Sequence, residues 1–284
     1  MDYALIATAY DAMVRIYVAN TTNTVKKIQK IHDTTSIASI ALGRFLTVSA
    51  MMGFMYKDDE RISLKIEADG IIGNMIMETN GKGYIKGDIE NPHIDTSLTI
   101  KEAVGNGYIK VVKDLNMKNL FTSSSELVSG EIADDFTYYF TVSEQTPSSV
   151  AAGVSISKDN EIEAAGGFII QVLPGCIDEV ITIIENVLLE MPPVTTLIKE
   201  KLTCEEILSI LSCNSENILS KKKIQYFCGC SKKRFQKALS TLNETTLTEI
   251  ITEDKQAEIV CNFCKKKYIF DEKELKEIRK SNLT

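Results

Sequence analysis

The sequence predicts an α+β protein. It reads as an antiparallel-sheet N-terminal body with helices, an all-helical linker region and a small C-terminal domain with the marks of a metal site. Three observations carry this. Strand-type alternation and helix-type periodicity occupy separate stretches instead of alternating unit by unit. Composition turns apolar and helical after Gly175. Four of the seven cysteines fall in two tight pairs near the C-terminus. The expected boundaries are 1–176 for the body, 177–222 for the linker and 223–284 for the small domain.

In the body, DYALIATA and MVRIYVAN are β-branched and apolar, and TVKKIQKIH follows with helical spacing. Residues 36–55, SIASIALGRFLTVSAMMGFM, form a small-residue-rich apolar helix. From residue 61 the pattern alternates. RISLKIEA, a turn at Asp69-Gly70, IIGNMIMET, a turn at Asn80-Gly81 and GYIKGDIE read as successive hairpins. GYIKVVKDL (107–115), DDFTYYFTVS (134–143), VAAGVSIS (150–157) and AAGGFIIQVL (164–173) continue the strand reading. In the linker, IDEVITIIENVLLE (177–190) is a helix stopped by Pro192-Pro193, and a short helix follows in TTLIKEKL. Thr203-Cys204-Glu205-Glu206 is a capping box before ILSIL. In the small domain, Ser231 caps a helix whose apolar face is Phe235, Ala238, Leu239 and Leu242. AEIVC and KKYIF are short strands around CNFC, and Asp271 with Glu274 caps a last helix.

Composition sets outer limits. Hydrophobic residues make up 44% and charged residues 25% of the 284-residue chain, an ordinary globular balance. The net charge of −7 is unevenly spread, with 15 Lys/Arg against 9 Asp/Glu over residues 221–284. A basic tail on an acidic body suggests a separate module. The N-terminus MDYALIATAY has no basic region of the signal-peptide kind. Residues 36–55 have the length of a membrane span, but Arg44 near the centre would cost about 2.5–3.5 kcal/mol in a bilayer, so a buried core helix is expected. These features predict a cytoplasmic protein with reduced cysteines and no membrane partner.

The two pairs are Cys228-Gly229-Cys230 and Cys261-Asn262-Phe263-Cys264, thirty residues apart. Four thiolates in two knuckles suit tetrahedral Zn²⁺, and Gly229 lets the backbone turn so that both sulfurs reach one ion. The expectation is one Zn²⁺ per chain held by Cys228, Cys230, Cys261 and Cys264. So small a domain has little core of its own, whereas structural zinc adds an apparent ~10–16 kcal/mol. Lys232, Lys233, Arg234, Lys265, Lys266 and Lys267 crowd the cysteines and favour thiolate. Oxidation has two outcomes. Neighbour pairing closes rings worth only ~1.5–2 kcal/mol each and would unfold the domain; cross-pairing between the knuckles would staple it at ~3.7 kcal/mol each.

The cysteine pattern resembles the thirty-three-kilodalton chaperonin family, the redox-regulated heat-shock holdases. IALGRFLTVSAMM (40–52), ERISLKIEADG (60–70), LVSGEIADDFTYYFTVSEQTPSSV (127–150), AAGGFIIQVLPG (164–175) and MPPVTTLI (191–198) resemble it in the same order. The resemblance implies a stress-response chaperone, not an enzyme. It implies zinc on the four cysteines in a reduced, inactive form. Oxidation would release zinc and form the disulfides Cys228–Cys230 and Cys261–Cys264. Tail and linker would then lose structure, and a homodimer would hold unfolding client proteins without ATP. No G-x-x-x-x-G-K-[ST] phosphate loop occurs in the sequence. Cys176, Cys204 and Cys213 match no motif cysteine of that family and are expected to be buried linker thiols.

Two other functions are weighed. A basic, aromatic tail is also the footprint of a nucleic-acid-binding module, but those aromatics serve as core and the lysines as a solvated face, so no nucleic acid is expected. A thiol oxidoreductase using Cys261 and Cys264 would place the pair at the start of a helix, not between strands. Hydrolytic chemistry lacks a motif, and His32 and His93 read as ordinary packing or surface residues.

Overall fold

The structure is a computed structural model describing residues 1–94 and 97–281. It divides into two compact units, Met1–Phe227 and Cys228–Thr284.

The first unit opens with β1 (Tyr3–Ala9), β2 (Val14–Asn20), α1 (Thr22–His32) and α2 (Ser36–Gly53). Next come β3 (Arg61–Ala68), β4 (Met75–Asn80), β5 (Tyr84–Ile89), α3 (Ile100–Val104), β6 (Gly107–Asp114) and β7 (Phe121–Glu126). The body continues with α4 (Ala133–Val142), β8 (Ser148–Ile156) and β9 (Ile162–Val172). The linker region supplies α5 (Asp178–Glu190), α6 (Val194–Lys199), α7 (Cys204–Ser212), β10 (Asn217–Lys223) and β11 (Gln225–Tyr226). Two sheets result, ordered β10-β1-β2-β9-β8 and β11-β5-β4-β3-β6-β7. Every strand pair in them is antiparallel except β11 with β5.

Among the described residues, α2 alone is long and apolar enough to cross a membrane, and it is largely buried. It packs against strands of both sheets. Its small residues are required there: a Cβ at Gly43 would lie 2.7 Å from Val154 and 2.8 Å from Val25. Arg44 donates through Nη1 to the Glu131 carbonyl at 3.2 Å and to its carboxylate at 2.5 Å. Its charge is met within the protein, as expected of a core helix.

The opposite face of the first sheet presents Leu5, Ala7, Ala9, Val14, Ile16, Val18, Phe168 and Ile170. These alternate positions share one side of the pleat. Val180 and Ile184 of α5, Val194 and Leu197 of α6, and Ile207, Leu208 and Leu211 of α7 complete the same cluster. The Thr203 capping box starts α7 as the sequence predicts. Tyr3 Oη donates to Glu205 at 2.5 Å, and Lys221 donates to the other Glu205 oxygen at 2.8 Å while lying over the Tyr3 ring.

Among the departures from the sequence reading, two change the type of element. DDFTYYFTVS, predicted as a strand, is α4. Its aromatic and β-branched content favours a strand, but Phe136, Tyr139 and Phe140 bury one helical face. The buried Asp135 carboxylate accepts from the backbone N–H groups of Val128, Ser129, Gly130 and Ile132, which fixes the helix start. Residues 217–222, predicted within the helical linker, fall in β10. NILSKKK offers no helical apolar stripe, and an open edge of β1 accepts its backbone.

The second unit contains α8 (Lys232–Leu239), α9 (Glu244–Glu249), a π-helical turn (Ile250–Asp254), β12 (Gln256–Val260), β13 (Lys267–Asp271) and α10 (Glu272–Ser281). The predicted caps are present: the Ser231 side chain accepts from Arg234 N–H, and Asp271 and Glu274 bond reciprocally.

Candidate metal centre

The four paired cysteines converge within the second unit. Cys228 and Cys230 lie in the loop before α8, and Arg234 Nη1 donates to the Gly229 carbonyl at 3.2 Å. Cys261 and Cys264 form the tip of the β12–β13 hairpin. That tip closes through Lys265 N–H to the Cys261 carbonyl at 2.8 Å and Cys261 N–H to the Lys266 carbonyl at 3.0 Å. All four sulfurs lie within 4.8 Å of one another. Cys228–Cys261 Sγ atoms are 3.7 Å apart and Cys230–Cys264 Sγ atoms 3.3 Å. A tetrahedral zinc with Zn–S bonds of about 2.3 Å spaces its sulfurs by about 3.8 Å, so the quartet matches such a site in donor type, number and spacing.

The cluster is part of the unit's core. Cys261 is buried with Leu239, Ile251, Tyr268, Phe270, Leu275 and Ile278, and the other three thiols pack against that group. The thiols differ electrostatically. Burial is the largest influence on Cys228 and pushes its pKa up to about 12. Burial opposes ionisation of Cys230 as well, but hydrogen bonds from Tyr268 and the neighbouring thiols outweigh it and lower the pKa to about 7. Tyr268 Oη lies 3.1 Å from Cys230 Sγ. Tyr268 lies in the predicted strand KKYIF, among tail aromatics read only as core; nothing in the spacing of a hairpin strand signals that its hydroxyl meets a thiol.

The surrounding cations are less free than the sequence suggests. Lys232 pairs with Glu274 at 2.5 Å, and Lys267 pairs with Glu258 at 2.9 Å. The remaining cysteines do not join the cluster. Cys204 is buried, and burial raises its pKa to about 11. Cys176 is only half-buried and Cys213 is exposed, contrary to the expectation of buried thiols. Cys213 sits in the left-handed cap after α7, where the chain leaves the packed surface. His32 is buried with Nε2 3.0 Å from the Gly87 carbonyl, and His93 is exposed, so both are packing or surface residues as predicted.

An α+β body followed by a unit that gathers four thiols defines a protein with a candidate Cys₄ metal centre, and comparison with known proteins makes the assignment specific. A family model described as "Hsp33 protein" matches residues 2–271. The 33 kDa chaperonin of Acholeplasma laidlawii is 47% identical over 283 residues, covering 96% of this chain and 97% of the relative. That of Bacillus subtilis is 46% identical over 286 residues, covering 98% of each. The crystal structure of the 33 kDa chaperonin (HSP33) from Thermotoga maritima superposes with a TM-score of 0.91 at 29% identity, covering 99% of this chain and 98% of that one. The chain belongs to the Hsp33 family. It is therefore a chaperone, which binds unfolded client proteins, and not an enzyme.

Proposed function

We propose that the chain is a redox-regulated, ATP-independent holdase whose reduced, zinc-bound form is inactive. The carrying observation is the thiol quartet, four sulfurs within 4.8 Å of one another inside the small core of their own unit. Cys228, Cys230, Cys261 and Cys264 hold one Zn²⁺ per chain. The metal supplies the cross-link that the small core lacks. Oxidation joins Cys228 to Cys230 and Cys261 to Cys264: each pair of thiolates gives up two electrons to one peroxide, whose O–O bond breaks and which takes two protons from solvent to leave as two waters, while the ion is released. These tiny rings restore ~3.5 kcal/mol together, against ~10–16 lost with the ion. The reduced-state sulfur distances do not favour this pairing over cross-pairing; the family resemblance supports it.

In this reading 1–176 is the chaperone body, 177–222 the linker and 223–284 the switch domain. Loss of the domain's fold destabilises the linker, and α5–α7 leave the sheet. The face carrying Leu5, Ile16, Val18, Phe168 and Ile170 then meets solvent and takes up clients. The active form is a homodimer in the cytoplasm, acting in the stress response. Neither nucleic acid nor membrane is an expected partner in this reading, and Lys232 and Lys267 beside the thiols are engaged by carboxylates. The hairpin-tip position of Cys261 and Cys264 likewise disfavours thiol–disulfide enzymology.

Peroxide with mild heat should release one zinc per chain and create the two short-range disulfides. It should also switch on suppression of aggregation of an unfolding client such as citrate synthase. Retention of the metal after oxidation, or its loss without client protection, sinks the proposal.

A further inference from the structure

Residues 217–227 guard the edges of both sheets at once. β10 pairs antiparallel with β1 from Tyr3↔Lys223 to Thr8↔Asn217 and forms one edge of the first sheet. After Ile224, β11 pairs in parallel with β5 through Gln225↔Tyr84 and Tyr226↔Ile85 at one edge of the second. Gln225 N–H donates to the Gly83 carbonyl, and Phe227 N–H to the Ile85 carbonyl. The next residue along the chain is Cys228.

The strap is held by its backbone ladder and by two partly exposed ion pairs, Lys221 with Glu205 and Lys222 with Asp58, both at 2.8 Å. None of the seven β10 residues is buried, whereas Ile224 and Tyr226 anchor the crossing between the sheets. Its composition opposes that of the strand beneath. β10 carries Lys221, Lys222 and Lys223, charges that keep an edge from recruiting other strands. β1, YALIATA, carries no charge and is β-prone. Left bare, such an edge pairs with any extended chain through main-chain hydrogen bonds. The far edges, β7 and β8, are edges while the strap is docked and so cannot account for binding that is switched on.

We infer that β10–β11 is a placeholder strand: when it leaves, the β1 edge, and with it β5, takes an extended segment of an unfolding polypeptide in its stead. Backbone pairing needs no particular client sequence, which suits a chaperone. This rests on the proposed switch and names how the client is held.

Gly83 provides a direct handle. Its φ is +79°, and a Cβ there would lie 2.0 Å from the Lys223 carbonyl oxygen. Gly83→Ala therefore ejects the strap without touching a cysteine. Gly73→Ala is the control: its φ is +67°, but its nearest neighbour is the Glu90 side chain. Reduced, zinc-loaded Gly83→Ala should suppress citrate synthase aggregation, and Gly73→Ala should not. In parallel, residue-resolved hydrogen exchange on the wild-type chain should find the β10-facing amides within Tyr3–Thr8 protected when reduced. They should lose protection on oxidation and regain it when unfolded citrate synthase binds, with β10 still exchanging freely.

Client protection by the oxidised chain with β10 still protected overturns the inference and leaves the switch standing. So does a β1 edge that stays unprotected with client bound, or that regains protection from protein concentration alone, which marks a second copy as its occupant. An oxidised chain that protects no client defeats the switch and the inference together.

Discussion

The body and the cysteine lobe solve the same problem at different scales. The body closes on Tyr17, Tyr139, Phe45, Phe136 and Phe140, all fully buried, with α2 packed against both sheets. Among the largest fully buried side chains of the described residues, Phe270 alone belongs to the lobe. Its remaining core is Tyr268, a few aliphatics and the thiols themselves, with Phe235 and Phe263 partly buried against them. Burial scales with size, so a large unit sustains itself while a small one needs a cross-link. The difference bears on the proposed switch: it lies in the part whose core is least able to sustain a fold without a cross-link.

Three experiments test that contrast, in descending order of expected effect. Cys261→Ser, or chelation of the reduced protein, should unfold the lobe, an apparent loss of about 10–16 kcal/mol. Lobe resonances in an amide NMR spectrum should collapse to random-coil positions while the body's strand resonances persist. A lobe that stays ordered would break the comparison.

Phe136→Ala should destabilise the body by about 3–5 kcal/mol, read from urea unfolding, because Phe136 is fully buried and stacks on Phe45 with ring centroids 5.9 Å apart. The zinc content of the folded variant should be unchanged. Loss of metal would show that the two units are not independent.

The smallest effect concerns how α7 sits on the body. Burial acts most strongly on Glu205 and raises its pKa, but the Lys221 and Tyr3 hydrogen bonds together outweigh it and leave the net value below the ordinary carboxylate range. A lowered folded-state pKa means the contribution is complete above the unfolded value of about 4.3 and is lost as pH falls through the lower, folded value. The pair is partly exposed, so screening holds the effect below about 1 kcal/mol. The difference in melting temperature between wild type and Glu205→Gln should therefore be largest near neutral pH and shrink in acid. A constant difference would remove Glu205 from the docking contact.

The most legible part of the chain was the part governed by local rules. The cysteine spacing announced a four-sulfur site, and the described geometry gathers those four sulfurs and excludes Cys176, Cys204 and Cys213. The cap at Thr203, the cap at Ser231 and the strands flanking CNFC lie where turn and capping chemistry put them. The failures are equally physical. Residues 133–142 carry strand-like composition, but a buried carboxylate and an aromatic face commit them to a helix. The polar strand β7 has too little apolar alternation to be seen. Tyr268 meets Cys230 only because β13 and the Cys228 loop converge.

By itself, the sequence determined the α+β class and the thiol quartet, because spacing, capping and composition act within a few residues. Tertiary structure alone decided which sheet face α5–α7 cover and that 217–227 closes two sheet edges just before Cys228. The strap's pairings join residues far apart in the chain, such as Leu5 with Lys221 and Tyr84 with Gln225, and no local pattern records the partner. Their backbone hydrogen bonds are indifferent to side-chain identity, so only the assembled sheets select them.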